Sequence, residues 1–150
     1  MEIYYQISDI NNLKKFEPTG KAKIRWLKFP EDLYALHLFA KDRKPDIIYN
    51  EKESHELFQK WHEEGCIYCA LFDDEVILAT AAVEKYCNDK WETSDIRVLR
   101  SARNKGYAKQ ICYFITKFIL ENGKIATSYT EDDNIPMQKV LDALGFIPCE

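Results

Sequence analysis

Three cations crowd a turn around one glycine in Arg103-Asn104-Lys105-Gly106-Tyr107-Ala108-Lys109. The chemistry this composition suits is the holding of a phosphate. The first N–H groups of a helix have no partner within it, and the helix dipole places partial positive charge there. Gly106 lets the backbone come close to a ligand, while Arg103, Lys105 and Lys109 add full positive charge. The dipole alone contributes roughly 0.3–1 kcal/mol toward an anion at an exposed end, so converging N–H groups and the cations must carry most of the affinity. In outline this is a diphosphate cradle, although a merely solvated basic turn has the same composition. The better-known phosphate loops are excluded by glycine count. Gly20, Gly65, Gly106, Gly123 and Gly145 are the only glycines, so neither a G-x-G-x-x-G nor a G-x-x-x-x-G-K-[ST] loop can be written.

The turn needs a strand before it and a helix after it, and the pattern supplies both. Trp91 to Leu99 is β-branched or apolar at Thr93, Ile96 and Val98, which predicts a strand. Ala108, Ile111, Cys112, Ile115, Phe118 and Ile119 recur at three- and four-residue steps, which predicts a helix from Tyr107 to Glu121. Asn122-Gly123 stops it. Upstream, Ile3–Ile7 reads as a short strand, and Ile24–Phe29 as the first strand of the main sheet. Pro30-Glu31-Asp32 opens a helix carrying Leu33, Leu36 and Phe39. Lys41 to Pro45 is a charged break. A second helix begins near Asn50, carries Leu57, Phe58 and Trp61, and ends at Gly65. Ile67–Phe72, Val76–Tyr86 and the Trp91 strand form an antiparallel meander. Lys124–Thr130 must then cross over parallel to its neighbour, and Asn134–Leu144 is the last helix.

Composition bounds the rest. With 150 residues and 46% hydrophobic content, the chain is expected to form one domain, 1–150, with a proper core. A net charge of −4 argues against nucleic acid as the main partner. No apolar run approaches the ~20 residues of a membrane span, and Met1-Glu2-Ile3 begins no signal peptide, so a cytoplasmic location is expected. Five cysteines are then expected to be free thiols rather than a disulfide framework. Cys66 and Cys69 have metal-ligand spacing but, on a strand, point to opposite faces. His55 and His62 lack the i, i+4 pairing of a zinc protease. No metal is expected.

Arg103-Asn104-Lys105-Gly106-Tyr107-Ala108 matches [RQ]-x-x-G-x-[GA], and in this the chain resembles the GNAT superfamily of acyl-CoA-dependent N-acetyltransferases. Asn134-Ile135-Pro136-Met137 leading to Leu144-Gly145-Phe146 is similar to the second block of that family. The resemblance is firm from Ile67 to Phe146 and architectural before it. It implies an α+β fold, a mixed and mostly antiparallel central sheet flanked by helices, with a shortened C-terminal end. It implies acetyl-CoA as acyl donor, held by Arg103 to Lys109 and Asn134. The pantetheine arm would pair with Ile96-Arg97-Val98 in a splayed gap between the central strand and its parallel neighbour. A backbone N–H near Val98 would face the oxyanion. The acceptor would be a primary amine, a small molecule in preference to a protein amine. Its base would be Glu92, six residues before Val98, with Glu84 and Asp95 behind it. Strand alternation places Glu92, Ser94, Ile96 and Val98 on one face, and Asp95 and Arg97, a candidate ion pair, on the other.

The departures from the family carry as much information. Many relatives place a tyrosine seven residues after the asparagine, where it can protonate the leaving thiolate. This chain has Leu141 there, and Tyr129 is the substitute considered. Family members continue past the Gly-Phe with two more strands that wall the acceptor site, whereas this sequence stops at Glu150. Three arrangements stay open: Ile3–Ile7 takes over part of that wall, a second copy does so in a homodimer, or the acceptor site is unusually open. The early helices carry Glu31, Asp32, Asp42, Asp46, Glu51 and Glu53, which would suit a cationic amine. The alternative reading is a non-catalytic CoA-binding regulatory module.

Overall fold

The computed structural model describes residues 1–17, 20, 22–43 and 50–149. Seven strands form one mixed sheet in the order β2-β3-β4-β5-β6-β1-β7, and only the β5–β6 pair is parallel. The chain runs β1 (Glu2–Ile7), β2 (Lys23–Trp26), α1 (Leu33–Arg43), α2 (Glu51–Glu63), β3 (Cys66–Asp73), β4 (Val76–Glu84), β5 (Lys90–Val98), α3 (Tyr107–Glu121), β6 (Ile125–Glu131), α4 (Ile135–Leu144) and β7 (Ile147–Cys149). Among the described residues no helix is long and apolar enough to cross a membrane.

Helix α3 covers the predicted residues. Its apolar stripe, with Ile111, Cys112, Ile115 and Ile119 fully buried, packs with α4 on one face of the sheet against Cys69, Leu71, Ala81 and Val83. Helices α1 and α2 cover the other face, where Leu36, Phe39 and Phe58 meet Tyr68, Ala70 and Phe72. Alternation along β3 sends Cys69 to the α3 side and Cys66 to the α1–α2 side, so their thiols lie on opposite faces as their spacing predicts.

Several boundaries differ from the sequence reading. β2 ends at Trp26 rather than Phe29, because Lys28–Asp32 curls into a turn closed by the Asp32 N–H donating to the Lys28 carbonyl. Asp32 itself is buried. Its carboxylate accepts from Arg25 Nη1 and Nη2 at 2.8 and 2.9 Å and from the Lys28 N–H at 2.7 Å. Lys41–Arg43 continue α1 instead of breaking it, while Lys44, Pro45 and Asp46 lie outside the described residues. Asn50 caps α2, accepting from the N–H groups of Lys52 and Glu53.

At the far edge the strand expected over Ile3–Ile7 is present as β1. β1 lies antiparallel to β6 along its whole length, Glu2 opposite Glu131 to Ile7 opposite Ala126, and three-residue β7 pairs outside it. The amino-terminal strand therefore occupies the position beside β6. It is pinned by the Met1 ammonium, 3.5 and 3.4 Å from Glu131 and Asp132. Gly145 lets this edge close: at φ +105°, an added methyl there would run into the Asn12 carbonyl.

Candidate active site

The turn after β5 opens at its outer end. Residues 100–102 form one 3-10 turn, with Ala102 buried as its anchor. Asn104 (φ 65°) and Gly106 (φ 80°) then swing the chain into α3. The first helical bond is Gln110 N–H to the Gly106 carbonyl, at 3.1 Å. No side chain caps the helix, so the N–H groups of Tyr107, Ala108 and Lys109 point outward without helical acceptors. A methyl group added at Gly106 would meet nothing within 4 Å, so the glycine itself stands in open space. Arg103, Asn104 and Lys105 are exposed around it, and the Tyr107 ring packs inward. Lys109 departs from the expected cluster: its ammonium sits 4.6 Å over the Phe16 ring.

Beside this turn the sheet parts. β5 and β6 pair only at Lys90–Ile125, Trp91–Ala126 and Glu92–Thr127. Thr93 and Ser128 hydroxyls make the last links across the seam, at 3.3 and 3.5 Å. On its other edge β5 stays paired with β4 to Val98, and the Leu99 N–H donates to the Leu78 carbonyl at 2.9 Å. Successive peptide groups point to opposite edges, so the Val98 N–H faces the parted seam. The Ile96 carbonyl faces it too and accepts from Arg97 Nη1 at 3.2 Å.

A β-bulge corrects the face assignment made from sequence. Ser94 lies opposite Ala82 and Arg97 opposite Thr80, so Asp95 and Ile96 together face Ala81. Asp95 takes φ 50° to accommodate the extra residue. Beyond it the alternation slips by one. Ile96 and Val98 pack with Trp91 on the α3 side, while Ser94, Asp95 and Arg97 line the opposite face. Glu92 therefore shares a face with Arg97, not with Ile96 and Val98. The expected ion pair is present at 3.4 Å, and Asp95 also accepts from the Tyr68 hydroxyl at 3.2 Å.

That face opens into a cavity of about 590 Å³ between the sheet and the C-terminal end of α2, walled by Trp61, Tyr68, Tyr86 and Tyr129. Glu92 does not line it but lies on the same face of β5, half-buried and directly opposite the lining residue Glu84 across the β4–β5 pair. Burial, then the charges of Glu84 and Glu2, push its carboxyl up from 4.5 to about 7. Glu84 is exposed and accepts from the Ser94 hydroxyl at 3.1 Å. Tyr129 is 47% exposed, its ring 5.8 Å from that of Tyr4. The charge of Glu92, ahead of burial, raises its hydroxyl above the ordinary value of 10. Leu141 is fully buried in the α3-side core and cannot serve chemistry.

Other candidate residues are committed elsewhere. Asn134 caps α4, its Oδ1 accepting from the Met137 N–H at 3.2 Å, which leaves its amide NH₂ for a ligand. Asp32 is spent on Arg25, and Glu31, Asp42, Glu51 and Glu53 do not line the cavity. The acids that do are Glu64, Glu84 and Asp95. The sequence reading missed Glu64, which only the approach of α2 to the sheet brings there. His62 packs edge-on against Phe29, and His55 lies 3.8 Å from Glu51. Among the described residues no three His, Cys, Asp or Glu side chains are grouped to hold a metal.

These features agree with known proteins. Residues 22–146 match the model of the acetyltransferase (GNAT) family, while no curated protein sequence matches the chain. Among solved structures, a GNAT-family acetyltransferase from Colwellia psychrerythraea superposes with a TM-score of 0.74 at 22% identity, covering 99% of this chain. The chain spans only 52% of that protein. An N-acetyltransferase from Staphylococcus aureus Mu50 gives 0.65 at 20% identity, covering 82% of this chain and 81% of its own. AAC(6')-Iy, in complex with the bisubstrate analogue CoA-S-monomethyl-acetylneamine, gives 0.68 at 22% identity, covering 87% and 94%. With the family match extending over most of its length, the chain belongs to the GNAT acetyltransferase family.

Proposed function

We propose that the protein transfers an acetyl group from acetyl-CoA to a primary amine, and that the amine belongs to a small molecule. One strand carries the reading: β5 turns the Val98 N–H to the seam and holds Glu92, its carboxyl raised to about 7, on the face that opens into the cavity. The family uses acetyl-CoA, and the AAC(6')-Iy complex holds a CoA-linked analogue on the same fold. The coenzyme fits what is present here. Three unpartnered N–H groups at Tyr107–Lys109, with Arg103 and Lys105 beside them, suit a pyrophosphate. The edge of Ile96–Val98 suits an amide-bearing arm, and the Asn134 amide is free to donate. Bound there, acetyl-CoA would supply the activated acyl carbon.

The chain's own groups then do the rest. An alkyl ammonium titrates near ~10. Passing its proton to an ordinary carboxylate is about a millionfold unfavourable, but to a group near 7 only about a thousandfold. Glu92 takes that proton, directly or through water, as the C–N bond forms. The Val98 N–H stabilises the charge that develops on the carbonyl oxygen. As the C–S bond breaks, the Tyr129 hydroxyl, a protonated phenol at neutral pH, donates its proton to the departing thiolate.

Thiol release from acetyl-CoA with a panel of amines tests this. Turnover that depends on the amine and is lost in Glu92→Gln is the expected result. Thermal stabilisation by CoA with no turnover on any amine would instead make the chain a coenzyme-binding regulatory module.

A further inference from the structure

Resting on that reading, we infer that the acceptor carries a second cationic nitrogen, held beyond the reacting amine between Glu64 and the aromatic wall of the cavity, so that aliphatic diamines are the preferred class. At about 590 Å³ the cavity is far larger than one amino group requires. Its lining carries the carboxylates of Glu64, Glu84 and Asp95. Glu64 is the C-cap residue of α2, so the partial negative charge of the helix end and the Glu64 carboxylate fall together near Trp61. A carboxylate there is unfavourable for the helix by itself, and a bound cation would relieve it. Glu84 adds a second carboxylate on the facing strand.

The positive side chains on the lining do not cancel this. The ammonium of Lys85 lies 4.6 Å over the Trp91 ring, and Arg97 is committed to Asp95 and the Ile96 carbonyl. Lys60 approaches Glu64 only at 3.9 Å, with both side chains well exposed, a pair that a ligand ammonium can displace. The large uncharged side chains of the lining are aromatic. Trp61 stacks on Tyr68 with ring centroids 6.5 Å apart, and such faces attract a cation that is losing its water. A neutral or acidic tail would lack the charge that these carboxylates and ring faces attract.

The test compares kcat/KM for diamines of three to eight carbons with amino alcohols of the same lengths, which differ only in the far charge. At least one diamine is expected to exceed its amino alcohol about tenfold, and Glu64→Gln should collapse that ratio toward one. The advantage should also shrink as salt is raised. Equal values for each pair, or a diamine preference that survives in Glu64→Gln, would overturn the inference while leaving amine acetylation standing. Turnover of no amine at all would remove the proposed reaction, and this acceptor class with it.

Discussion

Around Gly106 the groups offered to a ligand are peptide N–H donors; around Glu92 they are side chains whose properties depend on their neighbours. The first region works through backbone shape. Two left-handed residues, Asn104 and Gly106, and a helix start without a capping side chain leave three donors facing outward. The second works through crowding. Glu92 differs from an ordinary glutamate because Glu84 stands opposite it and the sheet shields it from water. A site made of main chain tolerates change in the side chains around it, whereas one made of a perturbed side chain depends on each neighbour. The two regions meet on β5, and they should respond differently when altered.

Removing the side chain at the acceptor end gives the largest effect. Glu92→Gln should lower kcat by about 10²–10⁴-fold with little change in KM for acetyl-CoA. The wild-type limb of kcat/KM that rises through pH 7 should vanish with it. An unchanged pH profile would move the base elsewhere, with Glu84 the next to test.

At the other end, Gly106→Asp places a carboxylate before the α3 donors. Space is available for it, and its left-handed backbone strain of roughly 1–2 kcal/mol is partly offset by a favourable helix dipole. KM for acetyl-CoA should rise about 30–100-fold, matching the loss of roughly 2–3 kcal/mol of charge-assisted hydrogen bonding, while kcat changes less. Arg103→Ala, which removes an exposed charge but no backbone donor, should raise KM only about 2–5-fold. If Arg103→Ala proved as costly as Gly106→Asp, the cradle would be built from side chains after all and the contrast would fail.

The smallest effect is on stability. Glu92 titrates higher in the folded protein than in the unfolded chain, so its contribution is fully present below about pH 4.5 and is lost as pH rises through about 7. Glu92→Gln should therefore match the wild type in Tm near pH 4.5 and exceed it at pH 8. A scan of Tm against pH for both proteins reads this directly. A difference that did not vary with pH would mean that Glu92 is better solvated than its surroundings suggest.

Much of this was legible in the residue string, because it depends on local rules. The apolar stripe from Ala108 to Ile119 set α3 within the predicted limits of Tyr107 and Glu121. Asn50 and Asn134 announce their helices by capping them. The basic turn with its one glycine marks the α3 start, and with the Asn134 and Gly145-Phe146 block it was enough to indicate the family. Other features could not be read this way. A bulge adds one residue to β5 opposite Ala81, and nothing in Ser94-Asp95-Ile96-Arg97 announces it. The alternation rule therefore put Ile96 and Val98 on the face of Glu92 when they lie on the other. The acids of the early helices were visible as a cluster, yet Asp32 is tied to Arg25, and the cavity draws on Glu64, Glu84 and Asp95 instead.

The sequence by itself determined the elements as far as the last helix, their order and the cradle-like turn, but not β7, since periodicity, capping and glycine placement act within a few residues. Only the tertiary structure decided which strand lies beside β6, which face each β5 side chain takes, and how far Glu92 is shifted. Each of these depends on groups distant in the chain and brought together by folding: burial by the assembled sheet, then Glu84 on β4 and Glu2 on β1 in the case of Glu92. Charge repulsion and burial act through space, and the linear order of residues does not record them.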